Sequence, residues 1–105
     1  MKIKLAKSEL IHFIGIGGIG MSGLAQIMKN MGFTIQGSDL SRNKNTERLI
    51  KAGIKVYFNH NKKNLKKATM IVISSAIKKN NMNKFSYQNT WNNINQKLLA
   101  LINEN

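Results

Sequence analysis

An α/β fold, with short parallel strands alternating with helices, is what this 105-residue sequence predicts. Three observations lead there. Four short apolar runs are separated by segments whose apolar residues recur at helical spacing. Glycines stand where one pattern gives way to the next. The length is that of one small domain able to hold a modest core of its own.

Leu10-Ile11-His12-Phe13-Ile14 is apolar enough for a strand covered on both faces, and it ends in glycine. After the loop Gly15-Ile16-Gly17-Gly18-Ile19-Gly20, the residues Met21, Leu24, Ala25, Met28 and Met31 fall on one helix face, and Gly32 takes the usual stop position. Phe33 to Gln36 reads as a second strand, closed by Gly37-Ser38-Asp39. Polar Ser41 to Asn45 leads into a short helix, Thr46 to Ala52, with Leu49 and Ile50 inward and Gly53 as its stop. Ile54 to Phe58 is a third strand, and Asn59 to Lys67 a basic loop with one helical turn. Met70-Ile71-Val72-Ile73 is the most apolar strand and ends at Ser74-Ser75. With right-handed crossovers the series gives a parallel sheet of about four strands in the order 3-2-1-4. That is half of a doubly wound, Rossmann-like fold with flanking helices. The domain is expected over 1–81, with 82–105 a divergent tail. In that tail Trp91, Ile94, Leu98, Leu101 and Ile102 recur at helical spacing and predict a C-terminal helix.

Composition removes several function classes. No cysteine is present, which excludes disulfides, thiolate metal sites and cysteine nucleophiles. Two histidines and four acids offer little for a metal centre or a two-carboxylate hydrolase. The net charge of +13 ordinarily points to nucleic acid. However, 15 of the 17 basic residues are scattered lysines, in a chain that also holds 15 Asn and 14 Ile. A/T-rich codons specify those three residues, so base composition accounts for the charge and a nucleic-acid role is not expected. Basic Met1 to Lys7 followed by Leu10 to Met21 superficially copies a secretory leader, but four glycines and His12 interrupt it. No run approaches the roughly 18 apolar residues that span a bilayer. A cytoplasmic protein without a membrane partner is expected.

Chemistry concentrates in Gly15-x-Gly17-x-x-Gly20, which follows a strand and opens a helix. The first glycine permits the turn, the second lets backbone approach a pyrophosphate, and the third lets helix and strand pack closely. Amides of Gly18, Ile19 and Gly20 would face the anion with the helix dipole behind them. Asp39, 19 residues beyond Gly20, stands where a carboxylate can accept ribose hydroxyls. This describes a nucleoside-diphosphate site without naming the base. A nicotinamide-dinucleotide half-domain of an oxidoreductase or transport regulator fits as well.

The run His12-Phe13-Ile14-Gly15-Ile16-Gly17-Gly18-Ile19-Gly20-Met21-Ser22-Gly23-Leu24-Ala25 closely resembles the opening of the Mur ligases, in their L-alanine-adding branch. Gly37-Ser38-Asp39, His60 with Asn64, and Ser74-Ser75-Ala76-Ile77 match in order, so the resemblance spans Ile11 to about Asn81. It implies an N-terminal domain that binds the UDP part of UDP-N-acetylmuramate in peptidoglycan biosynthesis. By that resemblance Gly17, Gly18, Ile19, Gly20 and Ser22 hold the pyrophosphate, with Gly15 in the same UDP-binding loop. Ser38 and Asp39 contact the uridine, with His60 beside them, and Ser74, Ser75, Ala76 and Ile77 line the same cleft.

In the full ligases a central domain supplies a Walker-type loop for ATP and magnesium, and the muramate carboxylate is activated as an acyl phosphate. No G-x-x-x-x-G-K-[ST] occurs here, and Gly53 is the last glycine. The expectation is therefore a truncated or split ligase chain that binds no cofactor and has no catalytic residue of its own. Separately encoded central and C-terminal domains would be its partners. From Asn80-Asn81 the sequence departs from the Asn-Pro-Glu with which the family continues.

Overall fold

A computed structural model describes residues 8–74 and 98–102. Along the chain run β1 (Leu10–Ile14), α1 (Ile19–Asn30), β2 (Thr34–Ser38), α2 (Lys44–Lys51), β3 (Lys55–Tyr57), a 3₁₀ turn (Lys62–Leu65), β4 (Ala68–Ser74) and β5 (Leu98–Ile102). All strand pairings are parallel, in the order β3-β2-β1-β4-β5. The expected 3-2-1-4 arrangement is present, with a fifth strand added at the β4 edge.

That fifth strand corrects the expected C-terminal helix over its last residues. Leu98–Ile102 pairs with Met70–Ser74 as a strand. A five-residue apolar run satisfies helical spacing and strand burial equally, and the neighbouring β4 ladder decides between them. Trp91 and Ile94 lie outside the described residues.

Both helices end for the same reason. After α1, Phe33 N–H donates to Met28 O and Gly32 N–H to Lys29 O, with Gly32 at φ +98. After α2, Ile54 N–H donates to Leu49 O and Gly53 N–H to Ile50 O, with Gly53 at φ +91. These paired bonds satisfy the last carbonyls, and only glycine enters the left-handed region without strain. At its start α2 carries a capping box between Asn43 and Thr46.

The sheet sorts its side chains by alternation. Ile11, Phe13, Ile35, Val56 and Val72 face α1 and α2, joining Met21, Ala25 and Leu49 in the main core. Ile14, Ile71 and Ile73 point the other way, where Leu65 of the 3₁₀ turn packs on them. Direct partners on parallel strands share a face, so His12 of β1 and Gln36 of β2 lie together on this second face, with Ser38 two residues on.

Candidate functional site

Strands β1 and β2 run in step from Leu10↔Thr34 to Ile14↔Ser38, which sets Gly15 beside the end of β2. Gly15 turns the chain at φ +86, a conformation closed to most side chains. Its N–H and that of Ile16 both donate to Ser38 O, at 2.8 and 3.0 Å. The loop then folds back over the sheet, with Ile16 fully buried. Gly37 makes that close approach possible, since a Cβ there would lie 2.5 Å from Ile16 Cδ1 and 2.6 Å from Phe13 O. The glycine of Gly37-Ser38-Asp39 is thus explained by packing.

The Gly17 peptide is gripped on both sides by the segment after β2. Its N–H donates to Asp39 Oδ2 at 2.8 Å. Its carbonyl accepts from Asn45 Nδ2 at 2.9 Å and Asn43 Nδ2 at 3.2 Å. The other Asp39 oxygen accepts from Leu40 N–H at 2.8 Å. Asp39 therefore stands beside the glycine loop, as its spacing implies, with each oxygen holding main chain. Asn43 and Asn45 carry no motif signal, and only folding brings them to Gly17.

Gly18 caps α1 with φ −65 and ψ 159, and its N–H closes a turn onto Gly15 O at 3.1 Å. That amide is spent within the loop rather than aimed outward. The helix has neither a side-chain cap nor an acid in its first turn, so its positive dipole end is not neutralised by its own side chains. Ile19 is 88% exposed at this tip, and Gly20 is exposed beside it. Ser22 is buried, donating to Ile19 O at 3.2 Å and accepting from Arg48 Nη2 at 3.4 Å.

On the opposite face a buried polar chain crosses the sheet. Gln36 Nε2 donates to Asn64 O and to His12 Nδ1, each at 2.7 Å. His12 Nε2 stands 3.3 Å from Ser38 Oγ, which stands 2.7 Å from His60 Nδ1. The Tyr57 ring stacks against His12, with centroids 6.5 Å apart. Burial, with the neighbouring His60 adding to it, lowers the His12 pKa to about 3. Burial also lowers the His60 pKa, opposed by Asp39. Both rings are neutral at pH 7. A small recess lined by His12, Ile14, Ser38, His60, Lys62 and Leu65 opens here. His12 reads in the sequence as part of an apolar run, and no local signal marks Gln36 as its partner.

The structure thus brings Ser38 and His60 together and sets Asp39 against Gly17. Ser74 ends β4, buried, beside β1. Ser75, Ala76 and Ile77 lie outside the described residues. The glycine loop and the end of β4 flank the place where the chain stops adding strands on one side of β1 and begins on the other. Ligands of open α/β sheets bind at such a crevice.

Comparison with known proteins agrees with this arrangement. The family model described as "Mur ligase family, catalytic domain" matches residues 10–102, into the tail that the sequence reading sets apart. UDP-N-acetylmuramate–L-alanine ligase of Pelagibacter ubique is 69% identical over 81 residues, 77% of this chain and 18% of that protein. The same-named enzyme of Rickettsia bellii is 55% identical over 73 residues, 70% of this chain and 15% of that one. The chain thus matches less than a fifth of the length of either relative. The crystal structure of UDP-N-acetylmuramate-alanine ligase from Thermotoga maritima shares the fold, with TM-score 0.70, 24% identity, and coverage of 87% of this chain and 20% of that one. A ligase from Neisseria meningitides, named for UDP-N-acetylmuramate:L-alanyl-gamma-D-glutamyl-meso-diaminopimelate, superimposes with TM-score 0.69 at 31% identity, covering 91% of this chain and 28% of that one. With a family match across nearly all of the described fold and a glycine loop at its switch point, the chain belongs to the Mur ligase family.

Proposed function

We propose that this chain holds the UDP end of UDP-N-acetylmuramate for a ligase that adds L-alanine in peptidoglycan synthesis. The observation that carries the reading is the placement of two features at the carboxyl ends of β1 and β2. The glycine loop, rigidly gripped and backed by a helix without a side-chain cap, suits the diphosphate. The recess beside Ser38 and His60 offers polar groups for the nucleoside. Gly15, Gly17, Gly18, Ile19 and Gly20 form the diphosphate side of this site, with Ser22 supporting the first turn from within. Ser38, Asp39 and His60 form the nucleoside side, and Ser74 stands at the cleft end of β4, followed in sequence by Ser75 and Ala76 as further candidates for uridine contact.

The ATP-dependent step is assigned to ligase domains beyond the matched region, on the same chain or another. Among the described residues no three His, Cys, Asp or Glu side chains converge as metal ligands, and no step is routed through magnesium-ATP. No helix among the described residues is long and apolar enough to cross a membrane.

Calorimetric titration with UDP, UDP-N-acetylmuramate and NAD tests the reading. Both uridine ligands are expected to bind, with Kd on the order of 10 μM to 1 mM, equivalent to about 4 to 7 kcal/mol. Tighter binding of NAD would overturn it in favour of a nicotinamide-dinucleotide half-domain.

A further inference from the structure

Gln36 does not itself line the recess, yet its amide bonds His12, which does, and fixes the proton pattern of the buried chain. Its Nε2 faces Asn64 O at 2.7 Å. A carbonyl oxygen only accepts, so the amide nitrogen, not its oxygen, must lie on that side. The same nitrogen lies 2.7 Å from His12 Nδ1. An amide nitrogen only donates, so His12 Nδ1 is bare and the ring proton sits on Nε2. With its pKa lowered to about 3, His12 has one ring proton to place at neutral pH.

His12 Nε2–H therefore donates to Ser38 Oγ at 3.3 Å. Ser38 stands 2.7 Å from His60 Nδ1 and is 2% exposed. Were His60 the donor here, the buried hydroxyl would accept twice and hold its own proton against no partner. Buried hydroxyls rarely do so. Ser38 thus donates to His60 Nδ1, and His60, also neutral, carries its proton on Nε2.

We propose that Gln36 is a positioning residue that dictates, through His12 and Ser38, which ring nitrogen of His60 is protonated. His60 lines the recess with Lys62, a donor, so the recess takes an acceptor such as a carbonyl or phosphate oxygen. That last consequence rests on the UDP-site reading. The proton pattern itself does not.

The test is ¹⁵N NMR of the imidazoles in the 105-residue chain without ligand. Only two histidines are present, so two rings account for every signal. Wild type should show both rings protonated on Nε2 at pH 8. In Gln36→Glu the carboxylate can only accept, so His12 must donate from Nδ1 and accept from Ser38, which in turn accepts from His60 Nδ1–H. Both rings should switch to the Nδ1–H form. Gln36→Met, with no donor or acceptor of that kind, should release the bias and give mixed forms at His60. Should the glutamate variant fail to fold, the methionine variant decides alone. Adding Ser38→Ala should make the His60 pattern independent of residue 36. A His60 ring that keeps its wild-type pattern in every folded Gln36 variant overturns the proposal. If the chain shows the expected pattern and binds no UDP, the functional reading fails and the relay stands.

Discussion

Acidification from pH 7 to pH 5 should destabilise this fold, mainly through His12. In the folded chain its pKa lies near 3, against 6.5 for an exposed imidazole. The unfolded chain therefore takes up a proton as pH falls through 6.5, while the folded chain does not until about 3. Stability is complete above about pH 6.5 and declines steadily down to about pH 3. Each pH unit inside that window costs about 1.4 kcal/mol through His12. At pH 5 the His12 share is about 2 kcal/mol, a large part of a small domain's 5–15 kcal/mol. His60, lowered for the same reason, acts in the same direction. Urea unfolding at pH 7, 6 and 5 measures the loss. The control is His12→Gln, whose amide can accept from Gln36 and donate to Ser38 but does not titrate. Its dependence on pH should be shallower by about 2 kcal/mol across the interval. Equal slopes for the two proteins would refute the assignment to His12.

Gly17→Ala would set a Cβ 2.7 Å from Asp39 Oδ2, 2.9 Å from Thr46 Cγ2 and 3.0 Å from Asn43 Nδ2, prying the two loops apart. A loss of about 1–3 kcal/mol in urea melts is expected, together with at least about tenfold weaker UDP binding. Gly18→Val differs, because φ −65 and ψ 159 admit valine. It should cost only about 1 kcal/mol as a poorer cap, yet abolish UDP binding in calorimetry; normal binding would mean the loop is only a turn. The purified chain should release no phosphate from ATP with UDP-N-acetylmuramate and L-alanine, since charge stabilisation on the transferring phosphoryl group supplies most of such a rate. Turnover by this chain alone would count against the proposed division of labour, and turnover on adding the remaining ligase domains would support it.

Local pattern was enough for β1, α1, α2 and β4, because each announces itself within a dozen residues by its period, and the first three by a terminal glycine as well. Gly32 and Gly53 are legible as helix stops for that reason, and both adopt positive φ. Boundaries were less legible. β2 continues through Gly37 and Ser38, because its ladder with β1 persists after its apolar residues end. Leu98–Ile102 carries helical spacing in the sequence, since its strand identity resides in β4, some 28 residues back along the chain. At the site, spacing placed Asp39 near the glycine loop, but its engagement with Gly17 N–H depends on how two loops meet. The Gln36–His12–Ser38–His60 chain was least visible, for it joins β1, β2 and the segment after β3 through register alone.

The loop between β1 and α1 behaves, by its bonding, as part of the sheet. Amides of Gly15, Ile16, Gly17 and Gly18 are all donated internally, two of them to the last carbonyl of β2. Solvent hydrogen can replace them only when β2 and the Asp39 segment separate from the loop, so they should exchange with the sub-global opening of the strands, not with surface fraying. Most loops that receive a ligand lose conformational freedom as they close around it. This one has already given that freedom up in the free chain, so an arriving anion meets a surface whose ordering was completed when the sheet folded.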